Sequence, residues 1–239
     1  MLNPAINSDD TQGNRMLDAL PAPELEQIVP HLRRVFVQRD QVMQSPGEPI
    51  EWLHFPIDAF AWAWTDSTGA DRPASVLTVG QRGVIEWNHV LESDRGQSSV
   101  TVISPGSAWR LPVDVFDRLP LESALRKMLL RYANSCILNS AVRLACNSEH
   151  NVDQRLARWL LWVADESNAD EFYITHQQIA EIAAIRRPSV SLALSQFQRQ
   201  GFIRSQHGKL RLLDRKALEQ RVCPCYWTLK RNCEDVFEQ

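Results

Sequence analysis

The chain has 239 residues, 44% of them hydrophobic and 23% charged, with a formal net charge of −3. That length is enough for two domains, the composition is that of an ordinary globular protein, and no apolar run of 18 or so residues suggests a membrane span. Residues 1–14 are polar, carry Asp9 and Asp10, and lack the basic start and apolar stretch of a secretory signal, so a disordered arm over 1–15 and a cytoplasmic location are expected.

Residues 16–33 carry a helical stripe of Leu17, Leu20, Leu25, Ile28 and Leu32, which Pro21, Pro23 and Pro30 cut into short pieces. From Val35 the texture changes to short β-rich runs at 35–37, 52–55, 60–64, 75–79, 99–103 and 108–111. Turn signals at 45–49, 68–69, 79–83, 95–96 and 104–106 separate them. Closely spaced short strands of this kind predict a jelly roll or sandwich over 16–119. Five tryptophans fall there, Trp52, Trp62, Trp64, Trp87 and Trp109, and are read as filled core.

A long helical pattern follows at 120–147, with Leu125, Met128, Leu129, Tyr132, Cys136, Ile137, Ser140, Ala141 and Leu144 at three- and four-residue steps and no glycine or proline. Small side chains along it (Ala133, Ser140, Ala141, Ala145) allow close approach of a second copy, so it is expected to be a dimerisation helix, the alternative being a core helix packed on the β region. Residues 148–239 form the last unit: a helix at 151–164, a polar loop at 166–171, two short helices joined by a tight turn at 175–202, a β-hairpin from 202 to 213, and a final helix begun by Asp214.

Charge is uneven along the chain. Residues 174–216 hold eight basic against two acidic side chains, a net of +6, whereas residues 1–147 carry 13 basic and 17 acidic ones. A basic module on an acidic body suits a polyanionic partner. In the two-helix segment, Thr175 stands as an N-cap with Gln178 at the capping-box position, and Pro188 fits the first turn of the second helix. Val190, Leu194 and Phe197 face inward, which leaves Arg187, Ser189, Ser191, Leu192 and Ser195 outward. Arg187 can donate two hydrogen bonds to a guanine edge. Arg186, Ser189, Thr175 and His176 are placed for phosphate contacts, and Ser191, Gln177 and Lys209 complete the candidate DNA-contact set.

The segments at 45–50, 79–84, 155–161, 175–203 and 207–214 together resemble the Crp/Fnr family of bacterial transcription regulators, from about Met16 to Val222. The resemblance implies an α+β chain: an N-terminal cyclic-nucleotide-binding-like jelly roll, a long dimerisation helix and a C-terminal winged helix-turn-helix. It implies a homodimer that binds double-stranded DNA at a palindromic operator and works with RNA polymerase, with no membrane partner and no catalytic residue. By position, Arg187 becomes the base-reading arginine, and Arg186, Ser189, Thr175 and His176 the backbone-contacting ones. The chain departs from the common family pattern at Pro188, where glutamate is usual, and at Leu192, where arginine is usual, so an altered operator is expected.

For the effector, Glu86 and Arg95 fall near the family's cyclic-phosphate positions with imperfect spacing, and Arg95 reads as a loop arginine. No cofactor is assigned, and a signal other than cyclic AMP is expected. No cysteine precedes Cys136, which excludes the family's N-terminal iron–sulfur arrangement, and the available histidines, His54 and His89, are read as structural. Cys223 and Cys225 are too closely spaced for a zinc ribbon. With Cys146 and Cys233 they are expected to be surface or packing thiols, since Cys146 and His150 reach them only if the hinge folds back; no metal site is assigned. The alternative reading is a cupin-like metal-dependent enzyme with a helical appendage, which would need several clustered histidines and a carboxylate.

Overall fold

The computed structural model describes residues 12–66, 73–167, 169–206 and 208–238. Most of the expected N-terminal arm lies outside the described residues, but Gly13 to Arg15 belong to the fold. Asn14 caps α1 (Arg15–Asp18) by accepting from the Met16 N–H, and its buried amide donates to the carbonyls of Pro56 and Gly83. Helix α2 (Ala22–Ile28) runs into a 3-10 turn at Val29–His31. The three prolines keep these pieces short, because each removes a backbone donor.

Seven strands form two antiparallel sheets: β1 (Arg33–Val37), β2 (Val42–Gln44), β3 (Trp52–Pro56), β4 (Phe60–Thr65), β5 (Ala74–Val79), β6 (Ser99–Ser104) and β7 (Gly106–Pro112). One sheet has the order β1-β7-β3 and the other β2-β6-β4-β5. Leu53, Phe55, Trp109 and Leu111 from the first meet Ala61, Ala63, Leu77, Val79 and Val100 from the second, in the core expected of a jelly roll. Only β2 escaped the sequence reading; three residues carry too little alternation to be seen.

Strand β4 is apolar on both faces, and period two explains why. Ala61 and Ala63 point into the jelly roll, whereas Phe60 and Trp62 point out of it, into a second core formed with the C-terminal helices. A strand covered on both sides reads as a continuous apolar run. The tryptophans are therefore not one filled box. Trp62 and Trp64 lie on the outer face, hydrogen-bonded to Ser75 and Thr101. Trp109 is core, Trp52 stacks under Arg110 at 4.1 Å, and Trp87 lines a cavity.

After the short α3 (Val113–Asp117), Ser123 caps α4 (Ala124–Glu149). The stripe expected on this helix splits in two. Leu125, Met128, Leu129, Tyr132 and Cys136 are buried against the jelly roll of the same chain. Ile137 and Leu144 are 59% and 72% exposed and align with Leu130 and Ala141 along the opposite side.

The C-terminal unit comprises α5 (Val152–Ser167), β8 (Glu171–Tyr173), α6 (His176–Ile182), α7 (Arg187–Arg199), β9 (Ile203–Gln206), β10 (Lys209–Leu212), α8 (Arg215–Arg221) and α9 (Cys225–Glu234). Two features correct the sequence reading. Residues 166–171 are not one loop: Glu166 and Ser167 finish α5, and Glu171 opens a strand that pairs with β10. The final helix is two helices, since Val222 breaks α8 and α9 continues to Glu234, packed on α4 and α5. Among the described residues no helix is long and apolar enough to cross a membrane.

The two units are docked by residues 79–84. A Cβ on Gly80 would lie 2.3 Å from the Glu166 carbonyl oxygen, so only glycine permits this approach. The Gln81 N–H donates to that carbonyl at 2.8 Å. Arg82 pairs with the Glu166 carboxylate at 2.8 Å, both side chains only 4% exposed, and the guanidinium lies over the Trp162 ring. Trp162 in turn donates to the Thr78 hydroxyl.

Candidate nucleic-acid interface

Thr175 and Gln178 form the full capping box at α6. The Thr175 Oγ1 accepts from the Gln178 N–H, and the Gln178 side chain accepts from the Thr175 N–H. Two helical donors are thereby satisfied. Replacing Thr175 with alanine is expected to lower the unfolding free energy by about 1 kcal/mol, read as a drop in the thermal midpoint without DNA; an unchanged midpoint would remove the cap from this account.

The turn between α6 and α7 puts Ala184 at φ 52, a left-handed conformation that closes the corner in one residue. Arg155 of α5 donates to the Ala183 and Ala184 carbonyls at 3.0 and 2.8 Å, placing a cation at the end of α6. This is the structural use of the basic residue that opens the 155–161 motif. Val190, Ala193, Leu194 and Phe197 bury one face of α7 against α5, α6 and β9. The face left over presents Arg186, Arg187, Leu192, Ser195 and Arg199 to solvent. Arg186 and Arg187 stand where the helix offers free backbone N–H groups and the positive end of its dipole.

The remaining candidates are placed differently from one another. Gln177 is exposed and donates to Glu181 at 2.6 Å. Ser189 is half-buried. The Ser191 hydroxyl is engaged by His176 Nδ1 at 2.9 Å, which joins the two helices and spends one side of that ring. Burial, and then the neighbouring Arg187 charge, hold the His176 pKa below its usual value, so at neutral pH the ring is uncharged. Lys209 bonds Glu171 at 3.3 Å and lies over the Tyr173 ring, pairings that strand β8 creates and that the sequence reading missed with it. Arg215 likewise pairs with Asp165 and Glu219. Of the eight basic residues in this region, Arg186, Arg187, Arg199, Arg204, Arg211 and Lys216 have no salt bridge among the described residues. The free charge is thus concentrated on α7 and the β9–β10 wing.

In the jelly roll, a cavity of about 300 Å³ is lined by Ala63, Val76, Leu77, Ile85, Glu86 and Trp87 among others. Both oxygens of Glu86 are spent on His54, one on the backbone N–H at 3.1 Å and one on ring Nδ1 at 3.0 Å. Burial raises the Glu86 pKa, with His54 opposing. Arg95 donates to the Gly47 carbonyl at 2.7 Å on an exposed loop. The fold does not join these two residues into one clamp. The other sensor histidine, His89, pairs with Asp117. Among the described residues these histidines do not gather into a metal-binding group.

A basic helix-turn-helix with a three-stranded wing, docked on a jelly roll, is the arrangement of a DNA-binding protein. Residues 154–221 match the Crp-like helix-turn-helix domain. The chain is 25% identical over 219 residues to the transcriptional regulatory protein btr of Bordetella pertussis, covering 85% of this chain and 87% of that protein. Its fold is that of a CRP-family transcriptional regulator from Thermus thermophilus (TM-score 0.64, 19% identity, 79% of this chain and 95% of that one). It is also that of FixK2 from Bradyrhizobium japonicum (TM-score 0.67, 14% identity, 80% and 98%). Residues 154–221 thus carry a Crp-like helix-turn-helix domain, and the chain as a whole is similar to transcription regulators of the Crp/Fnr type, as the sequence motifs implied.

Proposed function

We propose that the protein is a homodimeric, sequence-specific DNA-binding regulator that reads a palindromic operator and answers a signal other than cyclic AMP. The observation that carries the reading is the solvent-facing start of α7, where Arg186 and Arg187 project without salt bridges among the described residues, beside a basic wing. Inserted in a major groove, α7 brings Arg187 to base edges and Arg186, Ser189 and Thr175 to phosphates. Leu192 can touch a thymine methyl but cannot hydrogen-bond a base. The test is selection of bound sequences from a random DNA pool, followed by gel shift with wild type and Arg187→Ala. Recovery of no preferred sequence by the wild type would defeat the reading.

Homodimerism rests on the exposed side of α4. Leu130, Ile137, Ala141 and Leu144 recur at alternating three- and four-residue spacing once Asn134 is included, the repeat of a two-helix seam. A monomer would leave this apolar stripe in water. Replacing Ile137 and Leu144 together with glutamate is expected to weaken dimerisation by about a hundredfold or more, since each buried side chain contributes about 1.5–3 kcal/mol. Sedimentation velocity reads the result, and an unchanged dimer would assign the interface elsewhere. A two-fold dimer presents two copies of α7, hence the palindrome.

The effector reading rests on the state of Glu86 and Arg95. A cyclic phosphate needs a free cation in the cavity, whereas here one group is sealed by His54 and the other lies on an outer loop. Val79, Ile85 and Glu86 of the cavity wall flank residues 80–84, which dock on α5, so occupancy there and the pose of the winged unit are mechanically linked.

A further inference from the structure

Four side chains from distant parts of the chain converge at the joint between α4 and α5. Cys146 lies in the last turn of α4 and His150 follows one turn later on the same face. Cys223 follows α8 and Cys225 opens α9, with Pro224 making the corner between them. Cys146 Sγ is 3.5 Å from Cys223 Sγ, and Cys225 Sγ is 3.7 Å from His150 Nδ1. All four donor atoms lie within 4.8 Å of one another. Tetrahedral zinc with its usual bond lengths separates two sulfurs by about 3.8 Å and a sulfur and a nitrogen by about 3.6 Å. We propose that Cys146, His150, Cys223 and Cys225 bind a single zinc ion as a closed four-coordinate structural site that staples the α8–α9 corner to the end of α4.

The chemistry of the donor set selects the ion. Three thiolates and one imidazole suit a borderline-soft cation of tetrahedral preference, and four protein ligands leave no position open for a substrate. Magnesium and calcium prefer oxygen ligands. The donors are too close together to surround an iron–sulfur cluster and fit one ion. A disulfide between Cys146 and Cys223 would account for only two of the four groups, and all five cysteines of the chain are free thiols.

The surroundings suit a charged site. Zinc with three thiolates carries one net negative charge, and Arg158 stands beside it, buried to 4% exposure with its Nε lacking a hydrogen-bond partner. Its positive charge would offset that of the loaded site. Of the surface or packing role expected from the sequence, burial leaves only packing for Cys146 and Cys223, both 0% exposed, and their convergence with His150 and Cys225 goes beyond packing. The α4–α5 joint does fold the chain back, because α9 packs on both helices. A metal staple across it would hold the winged unit at one angle to the dimer seam.

The test uses the full-length protein, purified without chelator and analysed by inductively coupled plasma mass spectrometry. About one zinc per chain is expected. Cys225→Ser, at a half-exposed ligand, should lose it on dialysis, whereas Cys233→Ser, whose thiol meets Ser135 and Asn139 instead, should keep it. Cobalt(II) added to metal-stripped wild type should give the visible absorption of a tetrahedral thiolate site, a readout that needs no variant. Stripping should lower the thermal midpoint, and zinc but not magnesium should restore it. A wild type that holds no zinc and gives no cobalt spectrum overturns the proposal, as does zinc retained in Cys225→Ser. None of these readouts involves DNA, so they stand or fall apart from the operator-binding reading.

Discussion

Replacing Glu166 with alanine is expected to lower the unfolding free energy by about 3–5 kcal/mol, the largest effect of any single substitution considered. Glu166 and Arg82 are both nearly inaccessible to water, and their oxygen–nitrogen distance is 2.8 Å. Burial alone would lower the Arg82 pKa, but the Glu166 carboxylate, then Cys233 and Asp165, together more than offset this and raise it instead. Removing the carboxylate therefore strands a buried cation between Trp162 and the sheet, with Glu234 3.7 Å away on a more exposed side chain. The loss comes from leaving a charge unpaired, which gives a control: Arg82→Met combined with Glu166→Leu should recover much of the stability, because neither charge then remains buried. Urea unfolding of the three proteins measures this. A Glu166→Ala midpoint indistinguishable from wild type would show that the docked arrangement is not the stable one in solution. Since this pair joins the jelly roll to α5, the same substitution should also loosen the angle between the units, visible as faster amide exchange at Gln81 and along the last turn of α5.

Arg187→Ala is expected to weaken binding to the selected operator by about 1–3 kcal/mol, roughly fivefold to 150-fold, while barely changing affinity for unrelated DNA. Arg187 stands exposed in the first turn of α7, where a bidentate contact to a guanine edge is geometrically open. Arg199, exposed at the far end of the same helix, provides the contrast. A phosphate contact there would make Arg199→Ala weaken all sequences alike and reduce the salt dependence by about one ion. Gel shifts against operator, single-base variants and random duplex, at two salt concentrations, separate the two behaviours. Equal losses for Arg187→Ala on every duplex would assign this arginine to the backbone and leave base reading to other residues.

Much of the helix-turn-helix was legible without coordinates because its signals are local. A capping box occupies four consecutive residues, a proline marks a first turn, and Val190, Leu194 and Phe197 repeat at helical spacing. The jelly-roll strands were legible for the same reason, except β2. The double role of β4 was visible only as an apolar run, since a sequence does not say what covers each face. Likewise α4 showed apolar residues at the right steps but not which belonged to which stripe. Burial separates Leu125, Met128 and Leu129, which serve the chain's own core, from Ile137 and Leu144, which stay exposed on the opposite side.

The sequence by itself determined the order of parts: short helices, many short strands, a long helix, and a basic helical pair with a wing. Each is specified by periodicity and turn chemistry within about ten residues. The tertiary structure alone decided which charges stay free and which groups meet. Lys209 is paired because β8 lies beside β10, Glu86 is sealed because His54 crosses it, and residues 79–84 become a docking surface because α5 ends against them. Cys146 and Cys223, 77 positions apart, meet only because α9 folds back along α4. Spacing along the chain cannot reveal such a meeting; it follows from the packing of helices onto a shared core.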